Sequence, residues 1–147
     1  MRKFRFPLEG VARVRELAVR RREVDLAQAH EALARAEEAR KRSEEELRRS
    51  LRSAPQGTVV QVRQLLEQDR TLRRLRSRLQ TEHEVLDSSA AGVDLQRGLL
   101  LEARRQAEAV DKLRARRYQE FLREVLREEQ KTTDEVASRR MREKRAA

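Results

Sequence analysis

Two histidines, His30 and His83, are the only imidazoles of this chain, and they lie far apart in sequence. With no cysteine anywhere there is no thiol nucleophile, no disulfide and no sulfur ligand for a metal. The four glycines, Gly10, Gly57, Gly92 and Gly98, are scattered and form no phosphate-cradling loop. Acidic groups are plentiful, 26 in all, but carboxylates are the ordinary clothing of a charged helix and make no site by number alone. The expectation is therefore a protein with no catalytic residues, no cofactor, no metal site and no small-molecule substrate. Whatever it does, it does by contact.

The charge points the same way. Lys and Arg exceed Asp and Glu by 36 to 26, for a net charge of +10, so an anionic partner of some kind has to be considered. Arg116, Arg117, Arg139, Arg140, Arg142, Lys144 and Arg145 make nucleic acid the first candidate. Acidic residues are interleaved with them, no aromatic platform accompanies them, and no basic region precedes a clean zipper, so nucleic-acid binding is disfavoured. Residues 1–20 carry six basic and two acidic groups and residues 101–147 carry fourteen and ten, which places eight of the ten net charges in the terminal segments. From that sum the terminal end is expected to be basic and the turn end nearly neutral. A span across a membrane needs roughly 18 apolar residues, and the densest run here, Leu99 to Leu101, is three long. The opening MRKF is not followed by an apolar core, so no signal peptide is read there.

The elements that would carry such contacts are helical. Charged residues make up 42% of the chain and aromatics only 3%, a balance that suits a coiled coil and leaves too little bulk for a wide core. A single interruption, SAPQG at residues 53–57, separates two long periodic stretches, and Thr58 with Gln61 reads as a capping box for the second. The first stretch places Leu8, Ala12, Val19, Leu26, Ala29, Leu33, Ala36 and Leu47 on one seam, with Arg15, Arg22, Arg40 and Ser43 as polar interruptions. Its flanks offer Glu-to-basic pairs at i,i+4: Glu9–Arg13, Glu16–Arg20, Glu31–Arg35, Glu37–Lys41, Glu38–Arg42, Glu44–Arg48 and Glu45–Arg49. In the second stretch a heptad ladder runs through Leu65, Leu72, Leu79, Leu86, Val93, Leu100, Ala107, Arg114 and Phe121, accompanied by Val62, Leu75, Ala90, Ala103, Val110 and Val125.

The fold class is all-α: one antiparallel two-helix coiled-coil domain over residues 1–147, with helix 1 at about 8–51, a turn at 52–57 and helix 2 at about 58–143. At 1.5 Å per residue the two helices would be about 66 Å and about 129 Å long, so the second overhangs the first. A tight turn would pair positions whose numbers sum to roughly 109, leaving residues beyond about 105 without an intramolecular partner. That overhang retains an apolar stripe of Val110, Leu113, Phe121, Leu122, Val125, Leu126 and Val136, which is expected to meet another protein or a second copy. Residues 87–92 and Gly98 read as low in helix propensity, with close backbone approach preferred to a hinge as the explanation.

The two ends carry a family resemblance. The opening KFRFPLEGVARVR and the closing EEQKTTDEVASRR are similar to the terminal segments of the flagellar export protein FliJ family, and length, basicity and the two-helix pattern agree over the whole chain. The resemblance implies a cytoplasmic component of the bacterial flagellar type III export apparatus, peripheral on the membrane, that serves flagellum biogenesis, motility and chemotaxis. It further implies that the paired termini form a central stalk in the hexameric export ATPase ring, and that the chain contacts the membrane export gate and substrate chaperones. Carried over residue by residue, Phe4, Phe6, Leu8, Glu9, Arg13, Gln130, Lys131, Asp134, Glu135, Arg139 and Arg140 are the candidates for the ATPase end. Leu72, Leu75, Leu79 and His83 are the candidates for the gate, with an ordinary hairpin seam as the competing reading of the leucines. A virulence-type secretion stalk, a generic coiled-coil adaptor and a nucleic-acid-associated rod are the alternatives.

Overall fold

The computed structural model describes residues 3–54, 59 and 61–146. Two helices, α1 (Glu9–Arg52) and α2 (Val62–Ala146), pack against each other as a helical hairpin, and no strand occurs among the described residues. Contacts group the chain into a terminal unit (Met1–Val19 with Ala103–Ala147) and a turn-side unit (Arg20–Glu102).

α1 starts where the pyrrolidine of Pro7 presets a turn. The Glu9 amide donates to the Phe6 carbonyl at 3.2 Å, and the Ala12 amide donates to the Leu8 carbonyl at 3.0 Å. At its far end the Ser53 amide donates to the Arg49 carbonyl at 3.0 Å, and the Ser53 hydroxyl donates to the Ser50 carbonyl at 3.1 Å. The second helix is described from Val62, and at its start the Gln61 carbonyl takes the amides of Gln64 at 2.9 Å and Leu65 at 3.3 Å. Thr58, and with it the expected capping box, lies outside the described residues.

The seam of α1 follows its periodicity except at Leu8, which precedes the helix, and Arg15, both of which are exposed. Ala12, Ala36 and Ser43 are buried, and Val19, Leu26, Ala29, Leu33, Arg40 and Leu47 are half-buried. On α2 the ladder holds from Leu72 onwards except at Arg114, which is exposed, with Val93 and Leu100 buried, but Val62 and Leu65 are exposed. The reason is the register. In the turn-side unit Arg78 pairs with Glu46 at 3.2 Å, and in the terminal unit Arg114 pairs with Glu9 at 3.2 Å, so facing positions sum to 124 and 123 rather than to roughly 109. The difference is about two heptads, and a heptad-stepped slip keeps both apolar seams facing one another.

Two further expectations change with it. Residues beyond 105 do have partners: the Arg15 guanidinium donates to Gln106 Oε1 at 2.6 Å, and Phe4 packs on Tyr118 and Phe121. From Leu126 to Arg145 every side chain is exposed, as are those of residues 111–120, where Arg114 and Tyr118 nevertheless meet partners. Nor do the glycines mark close approach, since a Cβ placed on Gly92 or Gly98 would meet nothing within 4 Å, and α2 runs through both without a break. Of the expected i,i+4 pairs, Glu38–Arg42 and Glu45–Arg49 form, while Glu44 takes Arg40 at 2.7 Å and Glu9 takes Arg114. A seam-side arginine and a cross-hairpin arginine outcompete the solvent-facing ones because their partners are already ordered by packing.

Candidate functional site

The terminal unit holds all four aromatic residues of the chain. Residues 3–6 have no helical hydrogen bonds of their own, so side-chain area has to hold them. Phe4 meets Tyr118 edge-on, with ring centroids 5.2 Å apart at 75°, and meets Phe121 at 5.6 Å and 50°. Phe6 is buried at 8% exposure. Tyr118 and Phe121 are three residues apart, so the helix puts both rings on one side to receive the lead-in segment.

Beside this cluster lies an open groove of about 520 Å³, floored by Phe4, Phe6, Pro7, Leu8, Leu113 and Phe121 and edged by Arg5, Arg117, Glu120 and Glu124. Arg117 and Glu120 are tied to one another at 3.1 Å, which leaves the rim zwitterionic rather than cationic. An apolar floor with alternating charges on its rim is built for a protein surface. It offers no constellation of acid, base and nucleophile, and among the described residues no group of three His, Cys, Asp or Glu is placed to hold a metal. One ionisable group of this unit is perturbed: the hydrogen bond and charge of Lys112, 2.7 Å away, hold the Glu108 carboxyl below its ordinary range.

The candidate residues of the ATPase end fall into two groups. Phe4, Phe6 and Leu8 line the groove and Glu9 anchors its base through Arg114, while Arg13 is exposed. Gln130, Lys131, Asp134, Glu135, Arg139 and Arg140 are all exposed on the uncovered part of α2. Lys131, Asp134, Glu135 and Arg139 share one shallow surface with Ser138 and Arg142. The nine helical steps from Phe121 to Gln130 span about 14 Å, so the two groups are successive contacts along one unit and not one pocket. Tyr118, Arg117, Glu120 and Glu124 were not among the candidates. The signal that finds them is the pairing of two N-terminal aromatics with the only two others in the chain.

In the turn-side unit Leu72, Leu75 and Leu79 are half-buried in the hairpin seam, and His83 alone of the proposed gate residues is exposed.

The profile of the family described as flagellar FliJ protein matches residues 4–146. The chain belongs to the FliJ family. Its match begins at Phe4, the first residue of the aromatic cluster, and runs through the uncovered end of α2, so the FliJ profile takes in both groups of terminal residues. FliJ membership gives the chain a role in flagellar protein export, among components that are not catalysts. No curated protein and no solved structure matches the chain.

Proposed function

We propose that this chain is the central stalk of the flagellar export ATPase: its terminal unit enters the hexameric ring, and its turn side reaches the membrane export gate. The observation that carries the reading is the end of α2. From Leu126 to Arg145 every side chain is exposed, yet Leu126, Val136 and Met141 remain among them, at 64%, 50% and 69% exposure. A helix left uncovered for about 30 Å and still bearing apolar residues is stabilised when a partner surrounds it. The groove beside Phe4 and Phe121 supplies a second contact for the ring, and the exposed Arg13, Lys131, Arg139 and Arg140 supply polar ones.

At the other contact, His83 and the accessible edges of Leu72, Leu75 and Leu79 form the gate-facing side. Substrate chaperones are further partners in this reading. The place of work is the cytoplasm, peripheral on the membrane; among the described residues no helix is long and apolar enough to cross one.

The test is ATP hydrolysis and hexamer assembly by the cognate export ATPase with and without this protein at near-equal amounts. Faster turnover with more hexamer is the expected result. An unchanged rate from an ATPase shown to be competent removes the stalk and leaves an export escort.

A further inference from the structure

Net charge along the chain is lopsided in a way that the terminal sums conceal. Residues 48–78 contain nine arginines, no lysine and only two acids, Glu67 and Asp69, which leaves a net charge of nine minus two, or +7. The turn side is therefore strongly basic and not nearly neutral. Acid-rich flanks at 21–47 and 79–100, which carry net charges of −2 and −3, cancel it in the total.

Five of these arginines, Arg48, Arg52, Arg70, Arg74 and Arg76, are exposed and make no ion pair among the described residues. On α2, Arg63, Arg70 and Arg74 follow i, i+7 and i+11, a stripe on the face away from Leu72, Leu75 and Leu79. Arg76 is two residues beyond Arg74, which is about 200° around the helix, and Arg48 and Arg52 stand on α1. The positive charge thus wraps the hairpin.

Apolar side chains are exposed in the same place. The Gln68 amide donates to the Ser50 carbonyl at 3.3 Å, near where α1 stops, so the first turns of α2 project past their partner's seam. Val62, Leu65 and Leu66 are left 71%, 50% and 54% exposed, with Val59 at 91% and Leu51 at 48%.

We propose that the turn side of the hairpin docks on the surface of an anionic lipid membrane. The aliphatic side chains enter the headgroup boundary and the arginines take lipid phosphates. Guanidinium binds phosphate with two parallel hydrogen bonds, and clusters of basic residues beside a short apolar element are the recurring chemistry of such surfaces. An acidic partner helix would read one stripe, whereas this charge lies on several faces of both helices. A nucleic-acid groove would use the arginines but gives the exposed aliphatic residues nothing to bury against, and the turn-side unit has no aromatic residue for bases to stack on. The inference rests on residues 48–54, 59 and 61–78 and is independent of the stalk reading.

The test is co-sedimentation of the full chain with vesicles of phosphatidylglycerol in phosphatidylcholine, beside vesicles of phosphatidylcholine alone. Binding is expected to be about 100-fold stronger to the anionic vesicles and to fall steeply with salt. The exposed-site variant R48Q/R52Q/R70Q/R74Q/R76Q should lose that preference at unchanged helicity. V62S/L65S should weaken binding about tenfold, the loss of two buried aliphatic contacts. R139Q/R140Q/R142Q/R145Q, which removes charge from the other unit, should bind as the parent does. Equal binding to both vesicles overturns the proposal, as does loss of binding in the C-terminal variant alone. It is overturned too if V62S/L65S changes nothing and duplex DNA binds as tightly as the vesicles, which marks a general polyanion surface, or if an acidic amphipathic peptide binds the turn side while vesicles do not.

Discussion

The terminal and turn-side units use one seam pattern with different materials. The terminal unit buries Phe6 and Ala12 and packs Phe4 edge-on against Tyr118 and tilted against Phe121. The turn-side unit, which has no aromatic residue, buries Ala36, Ser43, Val93 and Leu100. It also holds Arg40 Nε, Ser43 Oγ, Glu82 Oε2 and Gln96 Oε1 away from solvent with no hydrogen-bond partner. Large rings are concentrated where a short non-helical lead has to be fastened by area alone. A long helix pair can accumulate many small contacts and tolerate polar positions along the way. The exposed surfaces differ along the same division: a zwitterionic aromatic groove and an uncovered helix in one unit, exposed arginines on both helices in the other.

The sharpest way to break this contrast is to take the rings from the terminal unit. Phe4→Ser with Phe6→Ser is expected to free residues 3–8, at a cost of about 3–5 kcal/mol for the buried ring, and to abolish stimulation of the export ATPase. Helicity by circular dichroism should be unchanged, because the lead is not helical. Retained stimulation would show that the aromatic cluster is not part of the ring contact.

Next in size is Leu100→Ala, which removes a large side chain at 7% exposure from the turn-side seam. A loss of about 2–4 kcal/mol in urea unfolding is expected. A loss below about 1 kcal/mol would mean that this unit does not depend on its few large residues, and the contrast would deepen.

Gly98→Ala runs in the other direction. With open space where its Cβ would stand, and helical backbone on both sides, the substitution should raise stability by about 1 kcal/mol. Lower stability would show that the helix bends there in solution.

The smallest effect concerns Glu108. Lys112 depresses its folded-state pKa, so the pair's contribution is present above the unfolded-state value and is lost as pH falls through the folded one. Lys112→Gln should bring the Glu108 titration, followed by NMR, back up towards the ordinary carboxylate range. Because the group is fully exposed, the midpoint of unfolding should scarcely move. An unmoved titration would show that the contact is not kept in solution.

Much of this was legible in the linear chain. Heptad spacing placed Val93, Leu100, Ala36 and Ser43 on the seams where they are found, and the terminal motifs carried the family. The exposed end of α2 followed from the inequality of the two helices. Its starting point did not, because the partner of Tyr118 is set by register. The basic turn was in the sequence throughout, hidden by summing charge over segments that ignored the acidic flanks.

Composition and periodicity by themselves determined that the chain is two long helices and which face of each is apolar. Tertiary structure alone decided where one helix stops along the other. A seam of Ala, Leu and Arg matches its partner equally well after a slip of a whole heptad, so apolar spacing is blind to that choice. Specific meetings break the degeneracy: Glu9 with Arg114, Glu46 with Arg78, and Phe4 against Tyr118. Those pairs exist only once the chain has doubled back on itself.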